Sequence, residues 1–132
     1  MSILVDIREK VGLLTLDRPQ KAHAYDRPHL QALRDGLEEL ARTVSVVVVQ
    51  STGDRAFCGG ADLSEVAQTD PLEALDLFSQ RVFNTIAASP LISIAAVHGA
   101  AVAGGCELTL ACDLRVLGPK AWFSLPETGM GL

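Results

Sequence analysis

Glu107 and Glu127 each stand beside residues that bend or stiffen the backbone: Glu107 follows Gly104-Gly105-Cys106, and Glu127 follows Pro126. A glycine pair opening a helix gathers unpaired amides and the positive end of the helix dipole at one point. That arrangement suits an anion, or an oxygen that becomes negative during a reaction. An acid one turn into such a helix, among Cys106, Leu108, Leu110 and Ala111, is expected to be buried rather than solvated. The alternative is a carboxylate that reaches back to cap nearby amides. Pro126 removes a donor and stiffens the chain before Glu127, whose plainer reading is an acid on an exposed loop. In a third segment, Ala56-Phe57-Cys58-Gly59-Gly60-Ala61-Asp62-Leu63, two glycines permit backbone angles closed to other residues and close approach by a ligand. It can point peptide amides into a pocket, or it can be a tight turn with Asp62 capping the next helix.

The elements that would position these groups alternate between strand and helix. Ile3 to Arg8 and Val11 to Leu16 read as a hairpin turning at Lys10-Val11-Gly12. Asp26 can cap a helix with Pro28 in its first turn and Leu30, Leu33, Leu37, Leu40 and Ala41 on one face. Val46-Val47-Val48-Val49, within Ser45 to Ser51, has the β-branched continuity of a strand buried on both faces. A second long helix is expected from Asp70-Pro71, with Leu75, Phe78, Val82 and Ile86 as its buried stripe and Ser89-Pro90 as its stop. Ile92 to Val97 reads as a buried strand, Gly99 to Gly105 as a small-residue loop, and Cys106 to Ala111 as a short buried helix. A last strand at Asp113 to Leu117, followed by Ala121 to Ser124 and Leu125-Pro126-Glu127, completes an α/β pattern with crossover connections. No repeat, linker or domain boundary interrupts it.

Composition excludes several classes. The 132 residues carry 11 basic and 16 acidic side chains, a net charge of −5, and no Lys/Arg block. That disfavours a nucleic-acid or anionic-membrane surface but leaves room for a small phosphorylated ligand. Three cysteines, Cys58, Cys106 and Cys112, form no CxxC pair and lie in apolar or Gly-rich runs, as expected of reduced thiols in a cytoplasmic protein. No signal peptide is expected from Met1 to Asp6. The apolar stretch from Leu91 to Cys112 is interrupted by His98, Glu107 and glycines, which favours a buried strand–loop–helix over a membrane span.

Together these stretches resemble the crotonase, or enoyl-CoA hydratase/isomerase, family. The matching residues are Leu16-Asp17-Arg18-Pro19, the segment Ala56 to Leu63, His98-Gly99 with Gly104-Gly105-Cys106-Glu107, Ala111-Cys112-Asp113-Leu114-Arg115, and Pro126-Glu127. Their order and spacing fit across essentially the whole chain. The resemblance implies a crotonase-like ββα spiral core over residues 1–132, and an enoyl-CoA hydratase, a hydro-lyase of fatty acid metabolism acting on 2-enoyl-CoA thioesters. It assigns the backbone amides of Ala61 and Gly104 to an oxyanion hole, Glu107 to activation of water, and Glu127 to protonation of the α-carbon. Arg18, Lys21, Ala22, Ala24, Gly59, Gly60, Asp62 and Leu63 would then contact the substrate or its CoA portion. No metal and no separate cofactor are implied, because coenzyme A is part of the substrate.

The sequence also departs from the family. It stops at Gly129-Met130-Gly131-Leu132, about half a family member's length, so the expected chain is either a fragment lacking the C-terminal helical part or a short protein that needs a partner. With that part present, the resemblance implies a homo-oligomer, a trimer or hexamer. Without it, a chain that only binds CoA or a partner is an alternative, beside the isomerase and acyl-CoA hydrolase reactions of the family. His23-Ala24-Tyr25 replaces a common Asn-Ala-Leu type of triplet, and a structural hydrogen bond is the favoured role of His23. Ala103 replaces a frequent glycine, and its small size is expected to be harmless.

Overall fold

The computed structural model describes residues 3–131. Strands β1 (Ile3–Arg8) and β2 (Val11–Leu16) form the antiparallel hairpin, and β2 pairs in parallel with β3 (Val46–Ser51). β5 (Ile92–Val97) and β7 (Leu114–Leu117) extend the sheet, also in parallel, to the order β1-β2-β3-β5-β7. Parallel neighbours require crossovers, and helices supply them. Helix α1 (Arg27–Leu40) starts where Asp26 accepts the His29 amide at 3.0 Å, and it buries Leu30, Leu33, Leu37 and Leu40 as its spacing predicts. Helix α4 (Phe78–Ala88) buries Val82, Phe83 and Ile86 against it. In β3 the burial alternates: Val47 and Val49 are wholly enclosed, whereas Val46 and Val48 are half-buried.

A second sheet is built from three short strands, β4 (Ala56–Cys58), β6 (Ala100–Val102) and β8 (Trp122–Ser124), all parallel, in the order β4-β6-β8. β6 lies inside the stretch expected to be a loop. It leads directly into α5 (Gly104–Ala111), the expected short helix, whose Cys106, Leu108 and Thr109 are buried.

The expected long helix from Asp70 is not continuous. It divides into α3 (Pro71–Ala74) and α4, a separate helix α2 (Leu63–Gln68) precedes it, and Leu75 is 76% exposed rather than buried. Local chemistry explains the breaks. Asp70 accepts the Leu72 amide at 2.8 Å and starts a new turn with Pro71, while Leu77 takes a left-handed φ of 50° that ends it. Asp76 then bridges Arg27 at 3.1 Å and Arg81 at 2.9 Å, tying the bend to α1 and α4. Among the described residues, no helix is long and apolar enough to cross a membrane.

Candidate active site

Because β4, β6 and β8 run in the same direction, their C-terminal ends emerge at one edge. In parallel sheets that edge is where ligands gather. β4 releases Gly59-Gly60-Ala61, β6 releases Ala103-Gly104, and β8 releases the turn Glu127–Met130. The Ala103 amide donates to the Ser124 carbonyl at 2.8 Å and locks the second segment to the third.

Ala61 forms a bridge with Tyr25, in which Tyr25 donates to the Gly60 carbonyl and Asp62 to the Tyr25 carbonyl, both at 2.8 Å. The bonds come from the residues flanking Ala61, so its own N–H points away from Tyr25's backbone. Gly60 holds a φ of +90°, and a Cβ there would lie 3.1 Å from the Gly104 nitrogen, so the Gly60-Ala61 turn packs directly on the first turn of α5. A Cβ on Gly105 would overlap the Cys58 carbonyl, and one on Gly104 would collide with the Tyr25 hydroxyl. Among the described residues, no group accepts a hydrogen bond from the Ala61 or Gly104 amide.

The two acids differ in their surroundings. Glu127 is half-buried, and its Oε1 is enclosed without a hydrogen-bond partner, an arrangement that is costly unless a ligand or proton uses it. Glu107 is exposed, contrary to expectation. α5 turns Gly105, Cys106, Leu108 and Thr109 inward, which leaves Glu107 and Leu110, three positions apart, on the outward face. Both acids nevertheless act on the same two groups. Burial pushes the Tyr25 phenol well above its usual range, with Cys58, Glu107 and Glu127 adding to the rise and the Ser79 hydroxyl opposing it. Burial also raises the Cys106 thiol, again helped by Glu107 and Glu127.

Of the residues expected to contact CoA, Arg18, Ala22, Ala24, Gly59, Gly60 and Asp62 come together. Arg18 reaches the Ala24 carbonyl at 3.0 Å and Asp62 at 3.2 Å, so it staples two loops rather than standing free. The Gly59 amide donates to the Ala22 carbonyl at 2.9 Å. Asp62 caps α2 through the Ser64 amide at 3.0 Å; the Ser64 hydroxyl and amide, then Arg18, hold its carboxyl below the usual range. Lys21 and Leu63 are exposed. His23 has the expected structural role: it accepts the Arg18 amide on Nδ1 at 3.0 Å and meets the Thr52 carbonyl through Nε2 at 2.7 Å.

Tyr25 had no assigned role in the sequence, and it joins the two parts of the site. A cleft of about 530 Å³ lies between α1 and α2–α4, lined in part by Tyr25, Ala61, Val66, Leu77, Phe78 and Ser79. Gly104, Glu107 and Glu127 are outside that lining, and the Tyr25 hydroxyl lies against Gly104. The only sequence signal was a polar-tipped aromatic where an apolar residue was expected. Among the described residues, no cluster of three or more His, Cys, Asp or Glu could hold a metal.

The family model described as enoyl-CoA hydratase/isomerase matches residues 6–132. A crotonyl-CoA hydratase of Syntrophomonas wolfei is 32% identical over 135 residues, covering 99% of this chain and 52% of the relative. A 2,3-dehydroadipyl-CoA hydratase of Escherichia coli K12 is 38% identical over 131 residues, covering 98% of this chain and 51% of the relative. The solved enoyl-CoA hydratase of Thermoplasma volcanium superposes with a TM-score of 0.93 at 28% identity, covering 100% of this chain and 54% of that one. The chain thus spans about half the length of the relatives it matches.

Proposed function

This chain belongs to the enoyl-CoA hydratase/isomerase family, and on that premise we propose that it is an enoyl-CoA hydratase, adding water across the double bond of a 2-enoyl-CoA thioester. One observation carries the reading: the partnerless buried oxygen of Glu127 at the strand edge from which the unengaged Ala61 and Gly104 amides also emerge. Attack of water on the β-carbon drives electrons onto the thioester oxygen. Two fixed amides stabilise that charge, each contributing roughly 3–4 kcal/mol. Glu107, open to solvent, takes the proton of the attacking water. Glu127 delivers a proton to the α-carbon, and exchange with solvent restores both acids for the next turnover.

The test is hydration of crotonyl-CoA, followed by loss of the enoyl absorbance. Glu107→Gln and Glu127→Gln are each expected to slow it by about 100-fold or more; equal rates in wild type and both variants would remove the assignment. The exposure of Glu107, against the half-buried Glu127, favours a second reading in which Glu127 alone moves the double bond. An isomerase would keep its rate in Glu107→Gln and lose it in Glu127→Gln.

The same proposal covers the surroundings. The CoA contacts are assigned to residues 18, 21, 22, 24, 59, 60, 62 and 63, with no cofactor beyond the CoA of the substrate itself. Buried free thiols at Cys58, Cys106 and Cys112 fit a reducing compartment such as the cytoplasm. Exposed apolar side chains on β7 and β8 fit a homo-oligomer, a trimer or hexamer.

A further inference from the structure

Tyr25 touches the Ala61 segment, Gly104 and the cleft, and nothing in the proposed mechanism uses it. Its backbone is fixed to the segment that carries Ala61 by two bonds of 2.8 Å. Its ring is held edge-on by Phe83, with centroids 5.9 Å apart and planes at 84°. Its hydroxyl reaches Gly104 so closely that no side chain could be accommodated there, and one face of the residue lines the cleft. Burial, reinforced by the charges of Cys58, Glu107 and Glu127, keeps the phenol protonated. It is therefore a donor and cannot act as a base.

We propose that the Tyr25 hydroxyl is a third hydrogen-bond donor to the substrate's thioester oxygen, beside the amides of Ala61 and Gly104. The inference rests on the hydratase reading and extends it to a side chain. Phe83 and the Ala61 ladder set the phenol in place before substrate arrives, so little reorganisation is needed when charge develops on the oxygen. The absence of a side chain at Gly104 is what allows the phenol to come this close.

Tyr25→Phe removes the oxygen and keeps the ring packed on Phe83, so its thermal midpoint is expected to stay within a few degrees of wild type. In crotonyl-CoA hydration, kcat is expected to fall by about 10- to 100-fold while KM changes by less than about threefold, as for a donor that acts chiefly on the transition state. A second measurement needs no turnover. Cinnamoyl-CoA absorbs at longer wavelength as its carbonyl is polarised, so the band of the bound ligand is expected to shift red in wild type and less in Tyr25→Phe. Equal shifts and equal kcat in the two proteins would overturn the role of Tyr25 and leave the amide reading intact. No red shift on bound cinnamoyl-CoA in either protein, or no binding at all, would sink the thioester site itself and this inference with it.

Discussion

Ala103 holds φ +54° and ψ −122° immediately ahead of Gly104, backbone angles that glycine adopts readily and alanine resists. Its small size made the substitution look harmless, yet the constraint there is conformational. Ala103→Gly is expected to raise stability by about 1 kcal/mol, the relieved strain being offset in part by a more flexible unfolded chain. Urea unfolding would show it as a higher midpoint at unchanged slope. His23 makes a different prediction. Burial holds its imidazole below the ordinary 6.5, against the Thr52 carbonyl that favours the charged form. The unfolded chain therefore takes up a proton that the folded chain resists. Stability present above pH 6.5 should fall as pH drops below it, and His23→Asn should flatten that dependence on the acid side of pH 6.5. A flat profile in wild type would remove the linkage. Residue types were legible at this scale, and partners were not. Arg18 could be read as a free cation because Asp62, which neutralises it, lies far along the chain. Glu107 looked buried because its sequence neighbours are apolar, and only the orientation of α5 turns it outward.

The hairpin, α1, β3 and β5 appear where the residue pattern places them, and α5 begins two residues before its expected start, at Gly104. The small sheet was harder to see. β4, β6 and β8 have three residues each, too short to show alternation, and β6 is made of alanine and valine that read equally as a loop. The bend between α3 and α4 escaped notice because Leu75 fits a helical period that Asp76 and Leu77 interrupt. Docking of α5 on β4 offers the sharper test. Gly105→Ala would drive a methyl group into the Cys58 carbonyl, and it is expected to destabilise the fold by about 1–3 kcal/mol or more. Gly129→Ala, with nothing within 4 Å of the added carbon, should change stability far less. Comparable losses in the two variants would mean that α5 does not sit tightly on β4. The clamp at Asp76 is partly exposed, so Asp76→Asn should cost no more than about 1 kcal/mol.

On the scale of the whole molecule, exposed apolar side chains recur along residues 110–125. Leu110, Leu114, Val116, Leu117, Trp122, Phe123 and Leu125 are all exposed, and β7 is uncovered along its full length. A surface of this kind favours association. The 14.0 kDa chain is expected to elute from size exclusion above its monomer mass, and Val116→Glu with Trp122→Lys should shift it toward the monomer. Elution of wild type as a monomer at all concentrations would argue against self-association. The three-stranded parallel sheet has a consequence in time as well. Its strands begin at residues 56, 100 and 122, so the sheet closes only after long stretches of intervening chain are in place, and such distant pairings form slowly. During synthesis the hairpin and α1 have their partners early. The edge from which Ala61, Gly104 and Glu127 emerge cannot assemble until β8 has left the ribosome, so a nascent chain lacks that edge until nearly all of these residues are made.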